Sequence, residues 1–209
     1  VGSEMPHKWP IEALKAQAIA SRTYALRKIG NDLYDIDSTQ KDQVYNGLES
    51  RTYKTIKAVK NTRSLVITHN QKLINALFHS SSGGMTENSQ DVWKNKYPYL
   101  SSVKDFDKKN PKFRWQKNFS NKELFNLFPK IGGIKDIEIL SITDTGRVKN
   151  VKIYGAYGSN EMSGVDLRKK LGLNSTFVRF KLIEEQSKEF SPKKRLVVVG
   201  QGFGHGVGM

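Results

Sequence analysis

The sequence predicts an α+β fold, with mixed helices and antiparallel hairpins in one domain over residues 1–209 and an inserted strand-rich subdomain over 106–190. A long unbroken run of good helix formers follows Pro10. Short runs rich in β-branched residues recur in pairs across turn residues, and no βαβ unit is present.

The first helix is expected over 10–29, where Pro10 suits the first helical position because its missing N–H is not needed there, and Gly30-Asn31 stops it. Wound at about 100° per residue, it sets Ile11, Leu14, Ala18, Ile19, Ala25, Leu26 and Ile29 on one arc, which predicts a buried face with Arg22 near its middle. A guanidinium there must snorkel or find an acceptor, because an unpaired buried charge is costly. Gln17 and Tyr24 fall on a separate, polar flank.

A polar loop over 32–43 leads to a second helix over 50–60. Leu65-Val66-Ile67-Thr68 and the run 72–78 read as a hairpin around His69-Asn70-Gln71. That hairpin delivers His79 and Ser80-Ser81-Ser82-Gly83-Gly84 to the end of a strand, where glycines permit close approach of a ligand.

From Asp105 the texture becomes Lys-rich. Ser120-x-x-Glu123 caps a short helix ending before Pro129, the segment 137–154 is a hairpin turning at Asp144-Thr145-Gly146, and Ser163-x-x-Asp166 caps a helix closed by Gly172. Residues 174–184 read as a strand, and Leu196-Val197-Val198-Val199 as a buried strand feeding the terminal glycine loop.

Composition bounds the chemistry. At 209 residues and 37% hydrophobic, the chain can bury a real core. With no cysteine there is neither a disulfide nor a thiolate metal site, and the four histidines lack metal-binding spacing. No apolar run approaches the roughly 18 residues of a membrane span, and Val1-Gly2-Ser3 is not a signal peptide. The 35 basic against 20 acidic residues, net +15, imply an anionic neighbour. Nucleic acid is the generic candidate, but the basic residues are spread from Lys8 to Arg195 and no nucleic-acid-binding motif appears, so none is assigned.

Two enzyme classes are set aside. Gly200-Gln201-Gly202-Phe203-Gly204-His205-Gly206 has alternate glycines rather than G-x-G-x-x-G and no βαβ context, so it is not a dinucleotide loop. Ser80, Ser81 and Ser82 beside His79 do not make a triad, and no Gly-x-Ser-x-Gly elbow exists.

Glu4-Met5-Pro6 is followed by Trp9-Pro10-Ile11-Glu12-Ala13-Leu14-Lys15-Ala16-Gln17-Ala18-Ile19-Ala20-Ser21-Arg22-Thr23-Tyr24-Ala25. Then come Gln43-Val44-Tyr45-Asn46-Gly47, the stretch Phe78-His79-Ser80-Ser81-Ser82-Gly83-Gly84-Met85-Thr86-Glu87, and Gly202-Phe203-Gly204-His205-Gly206-Val207-Gly208-Met209, with a weaker match at Thr145-Gly146-Arg147-Val148. In this order the motifs resemble the catalytic domain of the stage II sporulation protein D family of peptidoglycan lytic transglycosylases, across essentially the whole chain. Cysteines that hold a structural zinc in some relatives are replaced here near Asp42 and at Ser82. The resemblance also implies that the family's domain continues beyond both ends of this sequence.

The resemblance implies cleavage of the β-1,4 bond between N-acetylmuramic acid and N-acetylglucosamine, leaving a 1,6-anhydro end. Ordinary glycosidases use two carboxylates. Here the substrate's own C6 hydroxyl attacks, so one carboxyl can serve first as acid and then as base. Glu4 matches that residue, although taken alone it reads as a solvated acid near a helix N-terminus.

Gln17, Arg22, Tyr24, His79, Thr86 and His205 are the corresponding glycan-contact or cleft residues. Arg22 also reads as a structural ion pair, and His205 as a turn cap. No cofactor or metal is implied. The expected partners are peptidoglycan glycan strands and a cell-wall amidase, in the extracytoplasmic envelope, where a polyanionic wall suits the net charge. The alternative is a non-catalytic wall-binding or scaffold module of the same fold.

Overall fold

The computed structural model describes residues 1–30, 35–39, 41–93, 95–185 and 193–209, in two compact units, Val1–Phe78 and His79–Met209. Helices and antiparallel sheets are both present, so the fold is α+β. Asn31 and, within the expected polar loop, residues 32–34 and 40 lie outside the described residues.

The first unit is built on helix α1 (Ile11–Lys28) and helix α2 (Tyr53–Asn61). Pro10 stands at the cap with φ −53° and ψ 145°, one step before the expected first helical position. Thr52 and Thr55 form a reciprocal capping box at the start of α2, satisfying N–H groups that the first turn leaves open.

The buried face of α1 differs from the expected arc. It comprises Leu14, Gln17, Ala18, Ala20, Ser21 and Thr23, while Leu26 is 44% and Ile29 56% exposed. The reason is the length of the covering helix. Lys54 near the start of α2 reaches the carbonyl of Trp9, and Thr62 at its end meets Arg22, so α2 covers α1 only as far as that arginine. Small and polar side chains fit this close approach, and the last turns of α1 carry their apolar residues past it.

Strands β1 (Thr68–His69) and β2 (Lys72–Leu73) pair antiparallel around Asn70 and Gln71, whose φ values of 49° and 62° are those of a tight two-residue hairpin turn. The ladder is much shorter than the run over 65–78 predicts, because α1 takes its backbone groups. Arg22 donates to the Leu65 carbonyl, Arg27 donates to the Leu73 carbonyl, and the Thr23 hydroxyl accepts the Ile67 N–H.

The second unit carries a short helix α3 (Ser89–Val92) and two three-stranded antiparallel sheets. One has the order β3 (Arg114–Phe119), β8 (Lys193–Gln201), β7 (Val178–Glu185). The other has the order β4 (Asp136–Ile142), β5 (Val148–Tyr154), β6 (Ser159–Ser163). Helices α4 (Asn121–Leu127) and α5 (Gly164–Leu171) start at Ser120 and Ser163 as predicted, each hydroxyl accepting the N–H three residues on, and Gly172 closes α5 in the left-handed conformation. Phe119, Leu124, Phe128, Val151, Ile153, Leu167, Leu196 and Val198 form the heart of one core that draws on both sheets and both helices. Leu196, Val197 and Val198 of β8 are buried in succession as expected, while Val199, the last residue of the apolar run, is 48% exposed.

Candidate active site

In the first unit, residues 1–9 make two successive turns. The N–H groups of Glu4 and Met5 both donate to the Val1 carbonyl, at 3.1 and 3.0 Å, and Trp9 N–H donates to Pro6 at 3.0 Å. Glu4 is half-buried, and its Oε1 accepts the N–H of Val44 at 2.5 Å. The Ser3 hydroxyl accepts the N–H of Asn46 at 3.1 Å. The segment 43–47 singled out in the sequence is thus the strap that holds the Glu4 turn. It is anchored in turn to α1, where Gln43 donates to the Ser21 carbonyl at 2.9 Å. Among the described residues, Oε2 of Glu4 makes no hydrogen bond.

Beside the strap, Asp42 accepts the Tyr24 hydroxyl at 2.7 Å, the Lys28 ammonium, and the Asp37 N–H at 2.9 Å. The Lys28 hydrogen bond, supported by those from Asp37 and Tyr24 and opposed by burial, holds its carboxyl down at about 2. Burial and the Asp42 carboxylate push the Tyr24 phenol up to about 12, with Lys28 opposing. Asp42 is therefore an ionised, fully engaged carboxylate, and Tyr24 a neutral donor that fixes it.

Gln17 is buried rather than on a polar flank, and its amide donates to the Ser21 hydroxyl at 3.0 Å. Arg22 is half-buried and donates to the Leu65 carbonyl at 2.8 Å and to Thr62 at 3.5 Å. Among the described residues its acceptors are thus a carbonyl and a hydroxyl, not a carboxylate.

In the second unit, the glycine loop after β8 lies against the serine run. Phe203 and Ser81 pair their backbones, and the N–H groups of Ser80 and His79 donate to Phe203 and Met209. His79 is half-buried with Nδ1 3.2 Å from the Val207 carbonyl. Burial lowers its pKa, with the Val207 carbonyl opposing, so near neutral pH it is an uncharged imidazole. The His205 ring centroid is 5.8 Å away, and Trp93 meets His205 edge-on at 5.0 Å. Nδ1 of His205 accepts the Val207 N–H at 3.0 Å, which leaves Nε2 to carry the proton of a neutral ring. Thr86 is buried, its hydroxyl accepting the Val103 N–H at 2.8 Å.

Sequence reasoning missed the network behind this loop. Glu87 is 1% and Arg147 2% exposed. Oε2 of Glu87 accepts the hydroxyls of Thr143 at 2.7 Å and Thr145 at 2.6 Å, while Oε1 accepts the Asn88 N–H at 2.8 Å. Arg147 donates to Thr145, to the Ser82 carbonyl at 2.6 Å and to the Met85 carbonyl at 2.7 Å. Burial lowers the Arg147 pKa, and the charges of Glu87 and Asp107 oppose that.

The Glu87 N–H donates to the Gly206 carbonyl at 2.7 Å, which ties the network to the loop. Gly206 has φ +80°, and a Cβ there would stand 2.8 Å from the Arg147 guanidinium, so the position requires glycine. A signal did exist, since two charges of opposite sign sit inside two of the recognised motifs. Nothing local says that they meet.

Two family models match the chain. One is described as Stage II sporulation protein and covers residues 1–69; the other is described as a domain of unknown function (DUF8618) and covers residues 88–208. The chain is similar to Stage II sporulation protein D of Bacillus subtilis (strain 168), 35% identical over 230 residues, covering 100% of this chain and 63% of that protein. Its similarity to Stage II sporulation protein D of Bacillus amyloliquefaciens is 34% over 233 residues, with the same coverage of 100% and 63%. An Amidase enhancer of Bacillus subtilis (strain 168) is 31% identical over 264 residues, covering 100% of this chain and 35% of that protein. The chain therefore spans 63% of the length of the first two relatives.

Proposed function

Because the chain belongs to the stage II sporulation protein D family, we propose that it acts on the cell wall as a peptidoglycan lytic transglycosylase, with Glu4 as its general acid and base. The observation that supports this reading is the state of the Glu4 carboxylate. One oxygen is fixed by the Val44 N–H on a strap that is itself fastened to α1, and the other makes no hydrogen bond to a described residue. A carboxyl oriented by one oxygen and open at the other suits directed proton transfer.

In the forward step Glu4 gives its proton to the glycosidic oxygen between N-acetylmuramic acid and N-acetylglucosamine, and that bond breaks. The carboxylate then takes the proton of the muramic C6 hydroxyl as its oxygen closes on C1, which yields the 1,6-anhydro end and restores the acid. Attack from within the substrate makes a second carboxylate unnecessary. Asp42, saturated by Tyr24, Lys28 and Asp37, is read as a structural anion that keeps the strap in place.

Within the second unit, His205 and Trp93 are read as glycan contacts, since an imidazole and a partly exposed indole offer a polar edge and a stacking face. Gln17, Arg22, Tyr24, His79 and Thr86 act behind the surface, through the hydrogen bonds described above. A wall amidase is the proposed partner, because one relative is named an amidase enhancer. The envelope outside the cytoplasm is the proposed location. Incubation with purified sacculi tests the reading by mass spectrometry. Anhydro-muropeptides support it, while reducing ends without anhydro sugar, or pelleting with sacculi without products, would replace it with a hydrolase or a binding module.

A further inference from the structure

The loop between Val103 and Arg114 presents an apolar tip amid uncompensated positive charge, and the proposed glycan chemistry uses neither. Phe106 is 92% and Val103 58% exposed. Lys104, Lys108, Lys109, Lys112 and Arg114 are all exposed, and among the described residues none of them enters an ion pair.

The two acids of the stretch are turned inward. Asp105 accepts the Ser82 hydroxyl at 2.7 Å, and Asp107 accepts the Ser81 hydroxyl at 2.5 Å and the Gly83 N–H at 3.1 Å. For Asp107, burial opposes ionisation, but these donors outweigh it and its pKa lies below the usual carboxylate value. Asn110 adds a hydrogen bond to the Ser80 carbonyl at 2.9 Å. The loop is thus pinned on both sides of Phe106. The ring is held out by bonded neighbours and is not exposed through slack.

We infer that residues 103–114 are a contact surface for an anionic lipid bilayer. Phe106 enters the boundary between headgroups and acyl chains, and Lys104, Lys108, Lys109 and Arg114 meet the headgroup phosphates. A cavity of about 290 Å³ lined by Lys108, Asn110, Pro111, Phe113 and Arg114 receives one of these phosphates, where a guanidinium fork and an ammonium flank the anion. A soluble polyanion, whether a wall phosphate polymer or a nucleic acid, would account for the cations alone. It would give the held-out phenyl ring no apolar phase. Basic residues beside an exposed aromatic are the pairing by which interfacial segments hold anionic membranes.

The experiment is co-sedimentation of the 209-residue protein with vesicles of phosphatidylglycerol and phosphatidylcholine, against phosphatidylcholine alone. Binding is expected to be at least about tenfold stronger to the anionic vesicles and to fall as salt is raised. Phe106→Ser should lower the partition about tenfold without altering circular dichroism or glycan cleavage, since the ring is almost wholly exposed. Lys108→Glu with Lys109→Glu should lower it tenfold or more and flatten the salt dependence. Equal binding to both vesicles, or no effect of Phe106→Ser, overturns the inference. So does binding of a soluble polyglycerol phosphate or an oligonucleotide with no binding to vesicles.

Discussion

Glu87 and Arg147 stand 3.7 Å apart in the second unit, both almost wholly excluded from solvent, and share the Thr145 hydroxyl, which donates to the carboxylate and accepts from the guanidinium. Two charges in such a place are tolerable because each has further partners. Removing one strands the other. Glu87→Ala is therefore expected to destabilise the second unit by about 3–5 kcal/mol, read as a fall in the urea midpoint. An unchanged midpoint would mean that water reaches the arginine.

Glu4→Gln is expected to lower formation of anhydro products by at least about 10²-fold, the range in which a positioned acid or base acts. Glycan binding and thermal stability should stay near those of the parent, since the amide oxygen can still accept the Val44 N–H. Undiminished product formation would take Glu4 out of the mechanism.

Acid should loosen the strap that orients Glu4. Asp42 has a folded pKa of about 2 against the ordinary aspartate value of 3.8, so its contribution is complete above 3.8 and is lost as the pH falls toward 2. Stability measured across that window should decline more steeply in the parent than in Asp42→Asn, which already lacks the charge that Lys28 engages. Parallel pH curves for the two proteins would contradict this.

Gly206→Ala combines a strained φ of +80° with a methyl group thrust against the Arg147 guanidinium. A loss of about 1–3 kcal/mol is expected, visible in chemical denaturation. Trp93 emission should also change, because His205 beside that ring is the neighbour of Gly206. A stable variant with unchanged emission would show that the loop tolerates a side chain.

The legible parts of this fold were those with a local cause. Ser120 and Ser163 cap their helices, and Asp144-Thr145-Gly146 turns its hairpin, because a hydroxyl or a left-handed glycine acts within a few residues. The buried face of α1 was misread because it is decided by how far α2 reaches, which periodicity does not contain. Strand β6 carries Ser159, Asn160 and Glu161, all exposed, and takes its place by pairing with β5 rather than by hydrophobic pattern. At the candidate site Glu4 is singled out by its motif alone. The Val44 N–H that orients it is not, since a backbone donor leaves no trace in residue identity.

The capture of the hairpin by α1 also bears on solubility. Leu65, Val66 and Ile67 are 52%, 37% and 40% exposed, an apolar and partly β-branched run at the surface of the first unit. Such a run is a template for strand pairing between molecules when its backbone groups are free. Here Arg22 occupies the Leu65 carbonyl, Thr23 occupies the Ile67 N–H, and Arg27 occupies the Leu73 carbonyl across the turn. Three side chains of a single helix thereby act as gatekeepers, denying an incoming chain the hydrogen bonds with which an aggregate would begin.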